Sequence, residues 1–502
     1  MCGILCILGP GRPTPILAHR GPDATRVTKL GQCTMMFHRL AINDTSENGQ
    51  QPFVRNNKML MCNGEIFNHA SFPFNRMGGS DCECILPLVE EHGIFSATQK
   101  LSGEFAFCLT DGERVQAARD HVGIRPMFYT RYDGGIALAS EAKALRDFDT
   151  PIHVFPPGHV YDSFSDQFSC WYPGYWDPIQ FPTVPLLKIA LTTAVRDRVE
   201  NTERSLGFLL SGGLDSSLVC AAAAKLLPGR IRTFSIGTID SPDCRAARVV
   251  SEYLGTDHTE VPFDIQEGLQ NLSNVIFSIE SYDCTTVRAS VPMWLLARHI
   301  SRTTDCKVIL SGEGSDELFG GYLYFHDAPS VEHFSAENAR RLRLIHQFDG
   351  LRADRCLSAH GLELRVPFLD KTFIEVGMTM DQSLKVPRDG IEKWALRDAF
   401  QGDLPNDILW RQKNGMSDAV GYTWVSLVQK YAEDTITDQH FENICIQAEG
   451  HNVPLTKEEA LYRMLYWKHF GSEDDHLISE IWRPKWTTET DPSARRLKHF
   501  RP

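Results

Sequence analysis

The sequence contains no run of about 18 apolar residues, so it offers no membrane-spanning helix. Its first apolar stretch, MCGILCIL, lacks a basic leader and stops at Gly9-Pro10, which argues against a secretion signal. HExxH and paired CxxC patterns are missing, and Cys82-Glu83-Cys84 has the wrong spacing, so no zinc centre is expected. The 14 cysteines among 502 residues are scattered, which excludes a disulfide scaffold and points to buried free thiols in a reducing, cytoplasmic compartment. Basic residues are the scarcer charge, 51 against 64 acidic, and the resulting −13 repels phosphate backbones. No nucleic-acid or membrane partner is therefore expected, and the basic tail SARRLKHFRP reads as a solvated end. Internal repeats and low-complexity tracts are also missing.

What remains is a globular composition, 42% apolar and 23% charged, on a chain too long for one core. Up to about residue 180 it reads as short strands (GILCIL, CTMMFHRLAI, KMLMCNG, EFAFCLT, RVQAARD, GIALAS) with a helix near 82–92, an antiparallel α+β domain. An aromatic and proline-rich segment, 170–185, reads as a linker. Beyond it the rhythm becomes strand, helix, strand, with LGFLL, IRTFSIG and KVILS as buried strands, which predicts an α/β domain with a parallel sheet. The helix PDCRAARVVSEYL is expected to bury Ala246, Val249, Val250, Tyr253 and Leu254 and to end at Gly255. From about 320 the chain reads mostly as helix and loop.

LLSGGLDSS, 209–217, places two glycines between an apolar strand and a helix that opens with small hydroxyl residues. Such a loop offers backbone N–H groups and a positive helix end to an anion, and it is no Walker A loop because the lysine is missing. SGGLDSS resembles the PP-loop of ATP pyrophosphatases, which cleave ATP between the α and β phosphates. SGEGSDELFGGYLYF (311–325), YDCTTVRASVPMWL, LELRVPFLD and WRQKNGMSDAVGYTW resemble the asparagine synthetase family. The resemblance implies an adenine nucleotide alpha-hydrolase-like fold over 186–502. It also implies an ATP site made of Leu210, Ser211, Gly212, Gly213, Asp215, Ser216, Ile236, Ser311 and Gly312, with Glu313 as the base for ammonia attack. Charge gathering on phosphorus requires cations nearby. Asp215 and Asp316 are the candidate Mg2+ ligands, and Lys413 the candidate point charge.

Cys2 follows the initiator directly. Once Met1 is removed it carries both a thiol and an α-amine whose ordinary pKa, about 7.7–8.0, suits proton exchange near neutrality. HRGPD (19–23), HRLAI (38–42), CNGEIFNH (62–69) and GSDCE (79–83) resemble class II glutamine amidotransferases, whose nucleophile is a terminal cysteine. That resemblance implies an αββα sandwich of N-terminal nucleophile type over 1–180 and an oxyanion hole from Asn63 and Gly64. Arg39 suits the glutamine α-carboxylate, and Glu65 with Asp81 its ammonium. Together the two resemblances imply conversion of aspartate to asparagine with glutamine and ATP through an aspartyl adenylate, and they allow a homodimer. A related synthetase with another acceptor, and a non-catalytic nucleotide or glutamine sensor, remain as alternatives. Between Gly9 and His19 the chain has only nine residues, three of them proline, where relatives carry a longer helix.

Overall fold

The computed structural model describes residues 1–74, 78–174, 184–412, 415, 420–421 and 423–500. Over its N-terminal third, a pair of six-stranded antiparallel sheets face each other. The first runs, in spatial order, β10 (Ile152–Val154), β8 (Phe128–Tyr132), β9 (Gly135–Ala139), β1 (Gly3–Leu8), β3 (Cys33–Arg39), β2 (Ala24–Leu30). The second runs β12 (Gln167–Cys170), β11 (His159–Asp162), β7 (Val115–Arg119), β6 (Gly103–Thr110), β5 (Lys58–Ile66), β4 (Phe53–Arg55). The two-residue period of a strand explains the layering. Ile4 and Cys6 of β1 meet Met59, Met61 and Cys108 between the sheets, whereas Leu5 and Ile7 face Leu17, Ala142 and Leu145 outside. Burial on both faces is why these strands read as continuous apolar runs. The strands the sequence hid are short or lie at sheet edges, such as β2 and β12, whose side chains are mostly exposed.

A helical segment, Ile85–Lys100, kinked at Gly93 where φ is 73°, covers the second sheet through Ile85, Leu88 and Val89. Over the first sheet the outer layer contains the 3-10 turns Pro15–Leu17 and Ala142–Phe148, and the proline-rich segment after Gly9 adds no α-helix. Trp171 opens the expected linker by stacking on Phe105 at 6.2 Å, and residues 175–183 of that linker lie outside the described ones.

The C-terminal region is built on a five-stranded parallel sheet in the order β15 (Asp257–Pro262), β14 (Arg232–Gly237), β13 (Leu206–Leu209), β16 (Val308–Leu310), β17 (Glu363–Arg365). Chain order reverses around β13, so the loops after β13, β14 and β16 open into one crevice, the place where open parallel sheets bind ligands. β17 escaped the sequence reading because Glu-Leu-Arg looks nothing like a buried strand. Its two charges are satisfied by each other, Arg365 Nε to Glu363 at 2.9 Å. Helix Pro242–Leu254 starts at Ser241, whose side chain accepts from the Cys244 N–H, and ends at Gly255 with φ 68°. The buried face expected of it is corrected: Val249 and Tyr253 are 45% and 53% exposed, and Cys244, Ala247 and Val250 face the sheet. The tail is also corrected, since Leu497 is buried among Leu323, Tyr324 and Trp482. All 14 cysteines are free and 11 are buried. Among the described residues no helix is long and apolar enough to cross a membrane.

Buried ion pairs bind the N-terminal sheets to the C-terminal region. Arg20 reaches Glu141 at 2.7 Å and Asp354 at 3.0 Å, Glu141 reaches Arg355 at 2.8 Å, and Arg198 reaches Glu104 at 2.8 Å. Such pairs add little net stability over an apolar contact. Breaking one strands a buried charge and costs about 3–5 kcal/mol, so they fix the relative placement of the two regions.

Candidate active sites

The first pocket gathers the start of β1, the loop after β3, the end of β5 and the turn Asp81–Cys84. Cys2 is half-buried; its Sγ accepts from the Leu40 N–H at 3.4 Å and donates to the Leu40 carbonyl at 3.6 Å. Arg20 donates to the Cys2 carbonyl at 3.0 Å, so the arginine of the HRGPD stretch clamps the residue from behind. Burial pushes the thiol above its ordinary value, partly offset by the neighbouring terminal ammonium. That terminal group belongs to Met1: it donates to the Leu362 carbonyl at 3.3 Å, and burial pulls its pKa down to about 6. With Met1 in place, the nitrogen of Cys2 is a peptide amide and cannot act as a base.

Asn63 is 0% exposed, and neither atom of its side-chain amide has a partner. A buried unpaired amide is expensive, and here it leaves a hydrogen-bond donor unspent. Gly64 has φ 154°, and a Cβ there would overlap the Glu104 carbonyl across the β5–β6 pairing, so no other residue fits. Glu65 and Asp81 converge on the Asn43 amide, which donates to both. Asp81 also accepts from the Ile66 N–H at 2.5 Å and thereby docks the end of β5. Burial lifts the Glu65 carboxyl well above the usual carboxylate range, and the Asp81 and Glu363 charges add to this, against Arg365 at 3.3 Å. Two crowded, buried carboxylates suit a cationic guest. Arg39 donates to the carbonyls of Ser46, at 2.7 Å, and Asp44, and is 6% exposed.

The second site is a cleft of about 210 Å³ at the carboxyl ends of β13, β14 and β16. Leu210, Ser211, Gly213, Asp215, Ser216, Ile236, Ser311, Gly312, Glu313 and Asp316, all expected from sequence, line it. Gly212 stands behind the wall with φ 71°, where a Cβ would overlap the backbone of Ala246. The Ser211 N–H donates to Ser216 Oγ at 3.2 Å, which curls the loop around the start of helix Leu214–Leu226. Lys413 lies outside the described residues.

Sequence reading missed the cation in the middle of this cleft. Lys393 is 1% exposed; its Nζ lies 2.6 Å from Asp215 Oδ2 and 2.6 Å from Asp316 Oδ1. Its stretch, EKWALR, carries no local signal, since one lysine opening a helix is commonplace. The two carboxylates fit magnesium of the kind held largely by phosphate and water oxygens, because they are hard ligands brought to one point. Among the described residues no group of three His, Cys, Asp or Glu forms a self-sufficient metal cage. Deeper in, Arg352 pairs with Glu313 at 2.6 Å and with Asp349, while the Tyr322 hydroxyl lies 2.7 Å from Asp349 and bridges it to Glu317. Burial, then the charges of Asp349 and Asp316, hold the Glu317 carboxyl well above its usual range.

One residue, Arg365, touches a member of each site. Arg365 reaches Glu65 with its side chain, and its carbonyl accepts from the Ser311 N–H at 3.0 Å.

The asparagine synthase family matches residues 186–343 and 329–491, and a glutamine amidotransferase domain family matches residues 1–161. The chain is 40% identical over 548 residues to asparagine synthetase [glutamine-hydrolyzing] of Asparagus officinalis, covering 99% of this chain and 92% of that one. It is likewise 40% identical over 565 residues to the Homo sapiens protein of the same name, covering 100% and 99%. Among solved structures, the glutamine phosphoribosylpyrophosphate amidotransferase of B. subtilis aligns with 52% of this chain and 81% of its own, at 14% identity and a TM-score of 0.30.

Proposed function

The chain belongs to the asparagine synthase family, and from that premise we propose that it converts aspartate to asparagine, with glutamine as nitrogen donor and ATP as the activating co-substrate. We assign the amide-opening step to residues 1–180 and the ligation to residues 186–502. With its buried free thiols, we place the protein in the cytoplasm.

Glutamine enters the first pocket with its ammonium against Glu65 and Asp81 and its α-carboxylate toward Arg39. Once Met1 is removed, the Cys2 amine takes the thiol proton and Sγ attacks the side-chain amide carbon. The oxyanion is met by the Asn63 amide and the Gly64 N–H. Collapse of this intermediate expels ammonia, and water releases glutamate from the thioester.

In the second site an aspartate β-carboxylate oxygen attacks the α-phosphorus of ATP and pyrophosphate leaves. Lys393, between Asp215 and Asp316, stands where that charge gathers. Magnesium held by Asp215 and Asp316 would supply further charge neutralisation at the phosphates. Arg352 is placed to take the aspartate α-carboxylate, and Asp349 with Glu317 its ammonium. Ammonia then attacks the acyl carbon, Glu313 takes its proton, and AMP leaves. The observation that supports this reading is the contact series Glu65–Arg365–Ser311, which links the cluster around Cys2 to the wall of the cleft.

The test is a Cys2→Ala variant assayed for asparagine and pyrophosphate with glutamine or ammonium chloride. Loss of the glutamine-dependent reaction alone is expected. Full glutamine-dependent activity would remove Cys2 from the mechanism, and a wild type that forms no labelled asparagine from aspartate, glutamine and Mg-ATP would overturn the whole reading.

A further inference from the structure

The C-terminal segment, which composition marks as a solvated end, contributes a wall of the nucleotide cleft. Pro492, Ala494 and Leu497 line it, on the side where Trp482 and Tyr324 close its apolar end. The segment is fastened at both ends. At one end Asp491 accepts from Arg288 at 3.0 and 3.2 Å and from the Gln429 amide at 2.9 Å. Arg288 is 2% exposed and is held from its other side by Glu458 at 2.6 Å. At the other end Lys498 and His499 reach Asp327 at 2.5 and 3.0 Å, and the His499 carbonyl accepts from the cleft residue Gln412 at 2.8 Å. Between the fastenings the apolar anchor is Leu497, seated among residues that directly follow the SGEGSDE loop.

These fastenings are unequal. Asp491 docks on a buried guanidinium, whereas at the other end the Lys498 and His499 side chains are 70% and 30% exposed, so their pairing with Asp327 is the weaker one. A segment held firmly at one end and loosely at the other opens locally at low cost. A site that makes an acyl adenylate needs such closure, since water entering the open cleft adds to the acyl carbon, breaks its bond to the AMP oxygen and returns aspartate plus AMP.

We propose that residues 491–500 are a strap that closes over ATP and the acyl adenylate, and that Asp491 is the positioning residue that sets it in place through Arg288. The inference rests on the ligase reading above. In Asp491→Asn the Arg288–Glu458 pair persists, so the charge under the strap stays compensated and the fold is retained. The glutaminase reaction serves as the folding control.

The experiment measures KM for ATP and the ratio of pyrophosphate released to asparagine formed, in wild type, Asp491→Asn and Asp491→Glu. Asp491→Asn is expected to raise KM for ATP roughly tenfold, the equivalent of about 1.4 kcal/mol. It should also push the product ratio above that of wild type with glutaminase turnover unchanged, and Asp491→Glu should recover some of both. Unchanged KM and ratio overturn the strap while leaving the ligase reading intact. A wild type that makes no asparagine overturns the ligase reading instead. A second measurement uses wild type alone: trypsin cleavage after Arg495 and Arg496 should slow when Mg-ATP and aspartate are added. Cleavage at an unaltered rate counts against closure even if every Asp491 variant misfolds.

Discussion

Replacing Asn63 by alanine separates catalysis from folding, because the proposed reaction uses an amide that the resting fold leaves unpaired. Asn63 is 0% exposed on β5, and both its amide nitrogen and its amide oxygen lack partners. Each such atom costs the folded state about 1–3 kcal/mol. Truncation removes both penalties, together about 2–6 kcal/mol, and leaves a small cavity that costs of the order of 2 kcal/mol. Net stability should therefore hold or rise by up to about 4 kcal/mol, which at about 2.1 cal/mol/K per residue is at most about 4 °C in Tm for a chain of 502 residues. Catalysis has no such compensation. Loss of one preorganised oxyanion donor lowers turnover about 10²- to 10³-fold. The assay follows glutamate release and, separately, ammonium-dependent asparagine synthesis, with thermal unfolding on the same preparation. The expected pattern is a collapse of glutaminase turnover beside an undiminished Tm and a preserved ammonium-dependent reaction. A variant that melts many degrees lower yet hydrolyses glutamine normally would show that the amide is structural and that the reasoning from its missing partners fails.

Two further perturbations test the remaining charge arrangements. Lys393→Met leaves Asp215 and Asp316 facing each other without their shared ammonium, so asparagine formation should fall at least about 10²-fold with either nitrogen donor, with a loss of about 3–5 kcal/mol in stability; retained ammonium-dependent turnover would contradict the role of Lys393. For Glu65 the sign follows from its raised pKa. The free fold binds that proton more tightly than the unfolded chain, so the stability it contributes is complete below the ordinary value, about 4.3, and is lost as pH rises through the raised folded value. Glutamine's ammonium favours the ionised form, so glutamine affinity should climb over the same interval, and a thermal-shift titration at several pH values reads both trends. Glutamine stabilisation that is flat across pH, or that weakens as pH rises, would mean the ammonium does not sit on Glu65 and Asp81.

How far the sequence could be read depends on whether the cause of a feature was local. β1, β3, β5 and β6 announced themselves because both of their faces are buried, and the loop after β13 did so because two glycines and small hydroxyl residues follow an apolar strand. β17 did not, since a buried Glu-Leu-Arg strand is intelligible only once Glu363 and Arg365 are seen to neutralise each other. Helix Pro242–Leu254 was found with its caps, yet its buried face was misjudged, because an apolar pattern one residue out of phase still looks amphipathic. The catalytic clusters divide in the same way. Residues expected from contiguous motifs are brought to the two sites, apart from Lys413 outside the described residues, whereas Lys393, Asn43 and Arg352 come from segments without a signature of their own, and Arg365 stands inside LELRVPFLD without being legible there as part of a site. The tail was misread because its basic composition is ordinary for a solvated end, while its anchors, Arg288 and Asp327, lie more than 150 residues upstream.

The distribution of unsatisfied groups supports the same assignment from another direction. Away from the pockets much of the buried charge is paired, Arg20 with Glu141 and Asp354, Arg198 with Glu104 and Asp370, Arg355 with Glu141 and Glu280, while Lys385 and Arg119 rest on carbonyl oxygens. Inside them the matching lapses. Asn63 has no partner, Glu65 crowds Asp81, and Glu317 crowds Asp349 and Asp316. Like charges crowded at the pockets are better explained by a cationic guest than by core packing, which elsewhere sets Arg20, Arg198 and Arg355 against carboxylates. Each lapse also has the opposite character to a group the reaction brings: an unspent N–H donor for an oxyanion, and paired carboxylates for the ammonium of an amino acid. The energy these groups hold in the free protein is released when glutamine and aspartate arrive. Substrate binding should therefore tighten the same interfaces that the matched ion pairs already hold in register.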